Sequence, residues 1–189
     1  VVRFFIDNDI IHVNGKPNPQ SDFNDINAEL ILSDITTLES LLNRISKSKL
    51  PDKEKNFLKD ETTKALDLLN TNKFLEKNDL EKVLESFPDI KLLTQKPMFV
   101  IANINEETKQ EEIDTFKKLL SKNMKLVQVN ARVETDLNDL SDEDKKEFMK
   151  EFGIEESALS KIIKTGYSLL DLKTFFTSGE KESRAWAAK

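Results

Sequence analysis

Three short runs rich in Val, Ile, Phe and Met, at residues 1–6, 98–102 and 126–129, do most to limit what this chain can fold into. Each is too short and too apolar to be an amphipathic helix, so each reads as a buried strand of a parallel sheet. Between the second and third runs, residues 107–123 place Ile113, Phe116, Leu119 and Leu120 at helical spacing, and Pro97 stands at the entry to the second run. Strand, helix, strand in that order is the building unit of a doubly wound sheet. The fold class expected is therefore α/β, with only part of such a sheet present. The first run begins at Val1 with no Met, turn or cap before it, which reads as a strand already under way in a longer protein.

The segment 25–92 follows a different period. Ile31, Ile35, Leu38, Leu42 and Ile45 alternate steps of four and three, a seam along a helix over 26–48. Pro51 ends that helix and suits the first turn of a return helix carrying Leu58, Ala65, Leu66 and Leu69. The two predict an inserted antiparallel hairpin, coiled-coil-like in its seam, and a shorter helix over 79–87 leads back to the sheet. After the third strand two more helices are expected. One runs over 141–152, with Ser141 as N-cap, an acidic first turn and Gly153 closing it. The other carries Leu159, Ile162, Ile163, Tyr167 and Leu170. Residues 174–179 read as the start of a strand that the chain does not complete. The domain boundaries expected are 1–24 with 93–173 for the sheet, 25–92 for the helical insertion, and 174–189 for the beginning of a further domain.

Charge narrows the function classes. Lys, Asp and Glu are interspersed, with 34% of residues charged and a net charge of -6, whereas phosphate-tracking surfaces need clustered Lys and Arg. Sequence-specific DNA binding is not expected. The chain has no cysteine, which removes disulfides, thiolate catalysis and Cys-based zinc sites. No apolar stretch approaches the roughly 18 residues of a membrane span; no membrane partner is expected, and the cytoplasm is the default location.

Chemistry concentrates where the expected strands end. Asn103-Ile104-Asn105-Glu106 follows the second strand, at the sheet edge where open α/β folds bind ligands. The same residues also read as a polar helix start capped by Asn103 or Asn105. The third strand ends in Asn130-Ala131-Arg132-Val133-Glu134. His12, the one histidine, lies just beyond the first strand in Asp7-Asn8-Asp9-Ile10-Ile11-His12-Val13. It reads either as an ordinary loop histidine or as a group placed to handle a proton near neutral pH. The four glycines, Gly15, Gly153, Gly166 and Gly179, are isolated; neither Gly-x-x-x-x-Gly-Lys-Ser/Thr nor Asp-x-x-Gly occurs.

In order along the chain, these motifs resemble the YchF or Obg-like family of P-loop ATPases. The likeness extends to Asn27-Ala28-Glu29-Leu30-Ile31-Leu32-Ser33-Asp34, to Leu92-Leu93-Thr94-Gln95-Lys96-Pro97, to Gly166-Tyr167-Ser168-Leu169-Leu170, to Phe176-Thr177-Ser178-Gly179 and to Arg184-Ala185-Trp186. It implies a partial P-loop NTPase sheet with an inserted helical arm. It also implies an Asn-x-x-Glu form of the Asn-Lys-x-Asp loop by which Ras-like GTPases read guanine. Ile104 stands for the Lys and Glu106 for the Asp, whose buried contact with the base is worth on the order of 1 to 3 kcal/mol. The family favours ATP, so the resemblance implies base binding by Asn103, Ile104, Glu106 and Ala131, with His12 handling the attacking water. Asn130 stands where the family has Ser or Cys, and Arg132 where it has Lys or Ala. The cofactors implied are ATP and Mg2+, their phosphate and metal ligands lying before Val1, with no metal site in this chain. A TGS domain would follow, the arm would meet the ribosome, and the piece itself would be inactive. Two alternatives stand beside this: a non-catalytic helical interaction module, and a guanine-preferring GTPase of the Obg type.

Overall fold

The three apolar runs form one parallel sheet in the order β1-β2-β3, with β1 at Val2–Arg3, β2 at Val100–Asn103 and β3 at Leu126–Val129. The computed structural model describes residues 1–76, 78–122, 124–151, 154 and 156–189. Val2 lies opposite Ala102, and Asn103 opposite both Arg3 and Val129. The ladder ends with Phe4 N–H donating to Asn103 O at 2.9 Å and Ile104 N–H to Val129 O at 2.8 Å. β1 is shorter than its apolar run because its pairing stops where β2 itself gives way to a loop; Ile6, beyond that point, is exposed.

Strand alternation and the register put Val2, Phe4 and Ala102 on one face and Ile101, Val127 and Val129 on the other. On the first face Phe4 meets Phe116 of α4 (Gln110–Lys117) edge to face, ring centroids 5.1 Å apart. On the second, Val127 and Val129 pack with Ala158 and Ile162 of α7 (Ala158–Leu170). Helices thus cover both faces, as in a doubly wound sheet, although burial alternates along β2 instead of being complete. Between these elements lie α5 (Ala131–Asn138) and α6 (Asp142–Glu151). Ser141 caps α6 as expected, its hydroxyl accepting from Asp144 N–H at 3.2 Å. α4 is shorter than the periodicity predicts, closing in tight turns at Lys118 and Leu119. The expected helix ends at Asn123, Phe152 and Gly153 lie outside the described residues.

The expectation of an uncompleted strand after α7 is corrected. Residues of β4 (Lys173–Ser178) pair antiparallel with β5 (Ser183–Ala188), Phe175 facing Trp186 across the ladder. Gly179 N–H to Glu182 O closes the turn at 2.9 Å, and Trp186 Nε1–H reaches Thr177 Oγ1 at 2.8 Å. The one readable signal is the short polar stretch Gly179-Glu180-Lys181-Glu182 that separates the two strands. Every residue of both strands is exposed.

The chain separates into two units, Val1–Asp22 with Pro97–Lys189, and Phe23–Lys96. The second is built from α1 (Pro19–Lys47), α2 (Asp52–Asn70) and α3 (Glu81–Ser86). Ile31, Leu38, Leu41 and Ile45 of α1 share a core with Leu58, Ala65 and Leu69 of α2 and with Val83 and Leu92. Leu41 is fully buried where the periodicity favours Leu42, which is half-buried, so the seam is rotated by one position. α1 starts earlier than the apolar pattern because Asn18 and Pro19 make a helix start without any apolar residue: Asn18 Oδ1 accepts from Ser21 N–H at 3.1 Å, and Pro19 supplies a first turn needing no N–H. Within this core Asp34 is 1% exposed and accepts from Leu93 N–H and Thr94 N–H at 2.8 Å each and from the Thr94 hydroxyl at 2.7 Å.

Candidate functional site

The carboxyl ends of β2 and β3 lie side by side, and polar segments leave both. They bound a cavity of about 460 Å³, lined by Asn103, Ile104 and Glu106 after β2, by Ala131 and Arg132 at the start of α5, and by Phe5 and Asp7 beyond β1. That size is within the range of small-ligand pockets. The register explains the meeting: Asn103 is opposite Val129, so the chain two residues past Val129 stands at the same edge.

Asn103 holds the two ends together. Its carbonyl accepts from Phe4 N–H, and its side-chain oxygen accepts from Ala131 N–H at a long 3.4 Å. Asn105, in contrast, is spent on its own turn. Its side-chain oxygen accepts from the Thr108 hydroxyl at 2.9 Å and from Glu107 N–H at 3.2 Å, while Asn105 N–H donates to Thr108 Oγ1 at 3.1 Å. Of the two asparagines, the turn-making one is therefore Asn105. Glu106 is exposed, and its carboxylate makes no hydrogen bond among the described residues. The cavity carries two carboxylates, Asp7 and Glu106, and one guanidinium, Arg132.

Ala131 opens a helix, not a loop. Asn130 is its N-cap, accepting from Val133 N–H at 3.2 Å, so the amino end of α5 borders the cavity. Sequence reasoning misses this helix, though an Asn followed by Val133 and Leu137 four apart is a readable start signal. Glu134, next along, accepts from Ala158 N–H at 2.6 Å and Leu159 N–H at 3.5 Å. It serves as an acidic cap on the first turn of α7.

His12 does not line this cavity; from its segment Asp7 and Ile10 do. Instead His12 Nε2 is 3.2 Å from Asp22 Oδ2 in the first turn of α1, and Nδ1 accepts from Asn14 N–H at 3.2 Å. Its neighbours Ile11 and Val13 are 96% and 98% exposed. Among the described residues no three His, Asp or Glu side chains gather as a metal site.

No family model matches the chain. Three curated proteins called ribosome-binding ATPase YchF match it along nearly its whole length. That of Haemophilus influenzae is 38% identical over 191 residues, 98% of this chain and 53% of the relative. That of Escherichia coli O157:H7 is 40% identical over 193 residues, again 98% and 53%. That of Bacillus subtilis is 36% identical over 197 residues, 100% and 54%. Over the residues it spans, the chain belongs to the YchF family. It spans about half the length of these YchF relatives. A solved structure of the Schizosaccharomyces pombe YchF GTPase superposes on all of this chain and 53% of its own, with a TM-score of 0.78 at 28% identity. The fold is accordingly that of part of YchF, a P-loop NTPase: a parallel sheet with helices on both faces and a helical insertion.

Proposed function

We propose that the intact protein is a cytoplasmic, ribosome-binding ATPase that prefers ATP to GTP, and that this chain supplies its base-binding edge and its docking arm. The observation that carries the reading is the shared cavity around Asn103, Ile104, Glu106 and Ala131, in a chain whose relatives are named ribosome-binding ATPases. In an Asn-Lys-x-Asp loop the Asp accepts two hydrogen bonds from guanine. Glu106 carries its carboxylate one methylene further out, and Ile104 removes the lysine, so the guanine fit is lost. The adenine edge offers an amino group for the free acceptors here and a ring nitrogen for the amides that open α5. The phosphates and Mg2+ are held outside this chain, as the lack of a phosphate loop requires, and the chain alone hydrolyses nothing.

Hydrolysis is the attack of water on the γ-phosphorus with ADP leaving, and His12 takes or orients the water's proton. The unit Phe23–Lys96 is the arm that meets the ribosome, and the hairpin of β4 and β5 begins a TGS domain. No helix among the described residues is long and apolar enough to cross a membrane.

Competition between ATP and GTP for the intact protein tests the reading. ATP preference is expected, and Ile104→Lys combined with Glu106→Asp should move the preference toward GTP. An unchanged ratio in that variant places discrimination elsewhere, and absence of nucleotide binding leaves only an interaction module. The Schizosaccharomyces pombe relative is called a GTPase, which favours a second reading, in which wild-type protein already prefers GTP.

A further inference from the structure

The ring of His12 is held at both nitrogens. A backbone amide can only donate, so the bond from Asn14 N–H marks Nδ1 as the lone-pair nitrogen. The proton of the neutral ring then sits on Nε2, 3.2 Å from Asp22 Oδ2. A general base needs a free lone pair facing its proton donor. The one lone pair of this imidazole is occupied by Asn14, and the N–H is occupied by Asp22. His12 cannot take a proton from water in this arrangement.

Asp22 is a fixed partner, and the His12 segment is tied mainly to itself, the His12 carbonyl accepting from Gly15 N–H at 3.0 Å. The same Oδ2 accepts from Asn18 N–H at 3.2 Å, Oδ1 accepts from Asn14 Nδ2 at 3.5 Å, and the side chain is only 12% exposed. A carboxylate in the first turn of α1 is also favoured by the helix dipole. On the loop side, Ile11 and Val13 project into water on either side of His12, and Arg3 donates to Ile10 O at 3.1 Å at the base of the segment. His12 is the inward-turned residue of this stretch, and Asp22 is what it is turned toward.

We propose that Asp22 is a positioning residue that latches His12 in a resting arrangement, so that hydrolysis requires the imidazole to leave Asp22. The proposal rests on the catalytic reading of His12 given above. Asp22 also helps begin α1 through Asn18, so a test has to separate the latch from that structural role.

In the intact protein, Asp22→Ala should raise kcat for ATP severalfold with KM unchanged. Asp22→Asn, which keeps an acceptor for both Asn18 N–H and the imidazole, should raise it less. On a His12→Ala background, Asp22→Ala should add nothing. Nitrogen-15 spectra of the imidazole in nucleotide-free protein should show the proton on Nε2, with the Nε2 signal shifting in Asp22→Ala as its bond to the carboxylate is lost. A kcat that is unchanged or lower in both Asp22 variants overturns the latch, as does an Nδ1-protonated ring or an imidazole spectrum that ignores Asp22→Ala. Full activity in His12→Ala alone instead defeats the catalytic reading, and the spectra still decide whether Asp22 holds the ring. If Asp22→Ala unfolds, the kcat of Asp22→Asn and the wild-type spectrum decide the same two questions.

Discussion

Asp34→Ala should unhinge the return of the chain from the helical unit. The carboxylate is 1% exposed and accepts three hydrogen bonds, from Leu93 N–H, Thr94 N–H and the Thr94 hydroxyl, all at 2.8 Å or less. Truncation leaves two amides and a hydroxyl without an acceptor next to the core of Leu38, Leu41 and Leu92. A bond to a charged acceptor is worth about 1.5 to 3 kcal/mol net, and a buried donor left without an acceptor costs about 1 to 3 kcal/mol. The hydroxyl can turn elsewhere, and water can reach the half-buried Leu93 amide. Asp34 also recovers its own desolvation cost. The expected loss is therefore about 3 to 5 kcal/mol and not three full bonds. Against a typical stability of about 5 to 15 kcal/mol this is large enough to open the segment around Thr94 before the rest unfolds. Asp34→Asn keeps one oxygen but turns an amino group toward a donor, so it should lose somewhat less. Hydrogen exchange at Leu93 and Thr94, with urea unfolding of the intact protein, measures both. A loss under about 1 kcal/mol, or a Thr94 amide as protected as in wild type, refutes this reasoning, because the network would then be worth no more than a surface pair.

Two further outcomes test the proposed function. His12→Ala in the intact protein should lower kcat for ATP by about 10²-fold or more, in the usual range for a lost acid or base, with nucleotide affinity kept; single-turnover hydrolysis and equilibrium binding separate the two. Deleting residues 33–75 should abolish co-sedimentation with ribosomes while leaving ATP binding in place, and unchanged co-sedimentation would remove the arm from the interface.

How much of this is legible in the sequence depends on how far apart the partners stand. The sheet is readable because its strands lie in short, mostly apolar runs, and β3 lies where its run predicts. The helical hairpin is readable because α1 and α2 are long enough for a 3.6-residue period to repeat. Short elements give less. α5 has eight residues, two turns, and a helix that brief shows one apolar step from Val133 to Leu137 and little else. The second strand of the C-terminal hairpin is hidden by Ser183, Arg184 and three alanines, a weak β composition that pairs because β4 offers Phe175 opposite Trp186.

The polar pairings divide by the same rule. Asn103 and Ala131 are 28 residues apart, yet their meeting follows from the pattern once the sheet is parallel, since the register carries β2 and β3 to a common edge. Asp34 and Thr94, 60 residues apart, share no periodic element, and an aspartate on a helix otherwise reads as solvent-facing. His12 and Asp22 are near neighbours in sequence and still cannot be paired by reading it. Their meeting depends on where α1 starts, and that start is set by Asn18 and Pro19 and not by an apolar face. A residue type can announce that a histidine is available for chemistry. Which way its N–H is held is decided by a helix start a few residues on, and for this chain that start points the carboxylate of Asp22 at the imidazole.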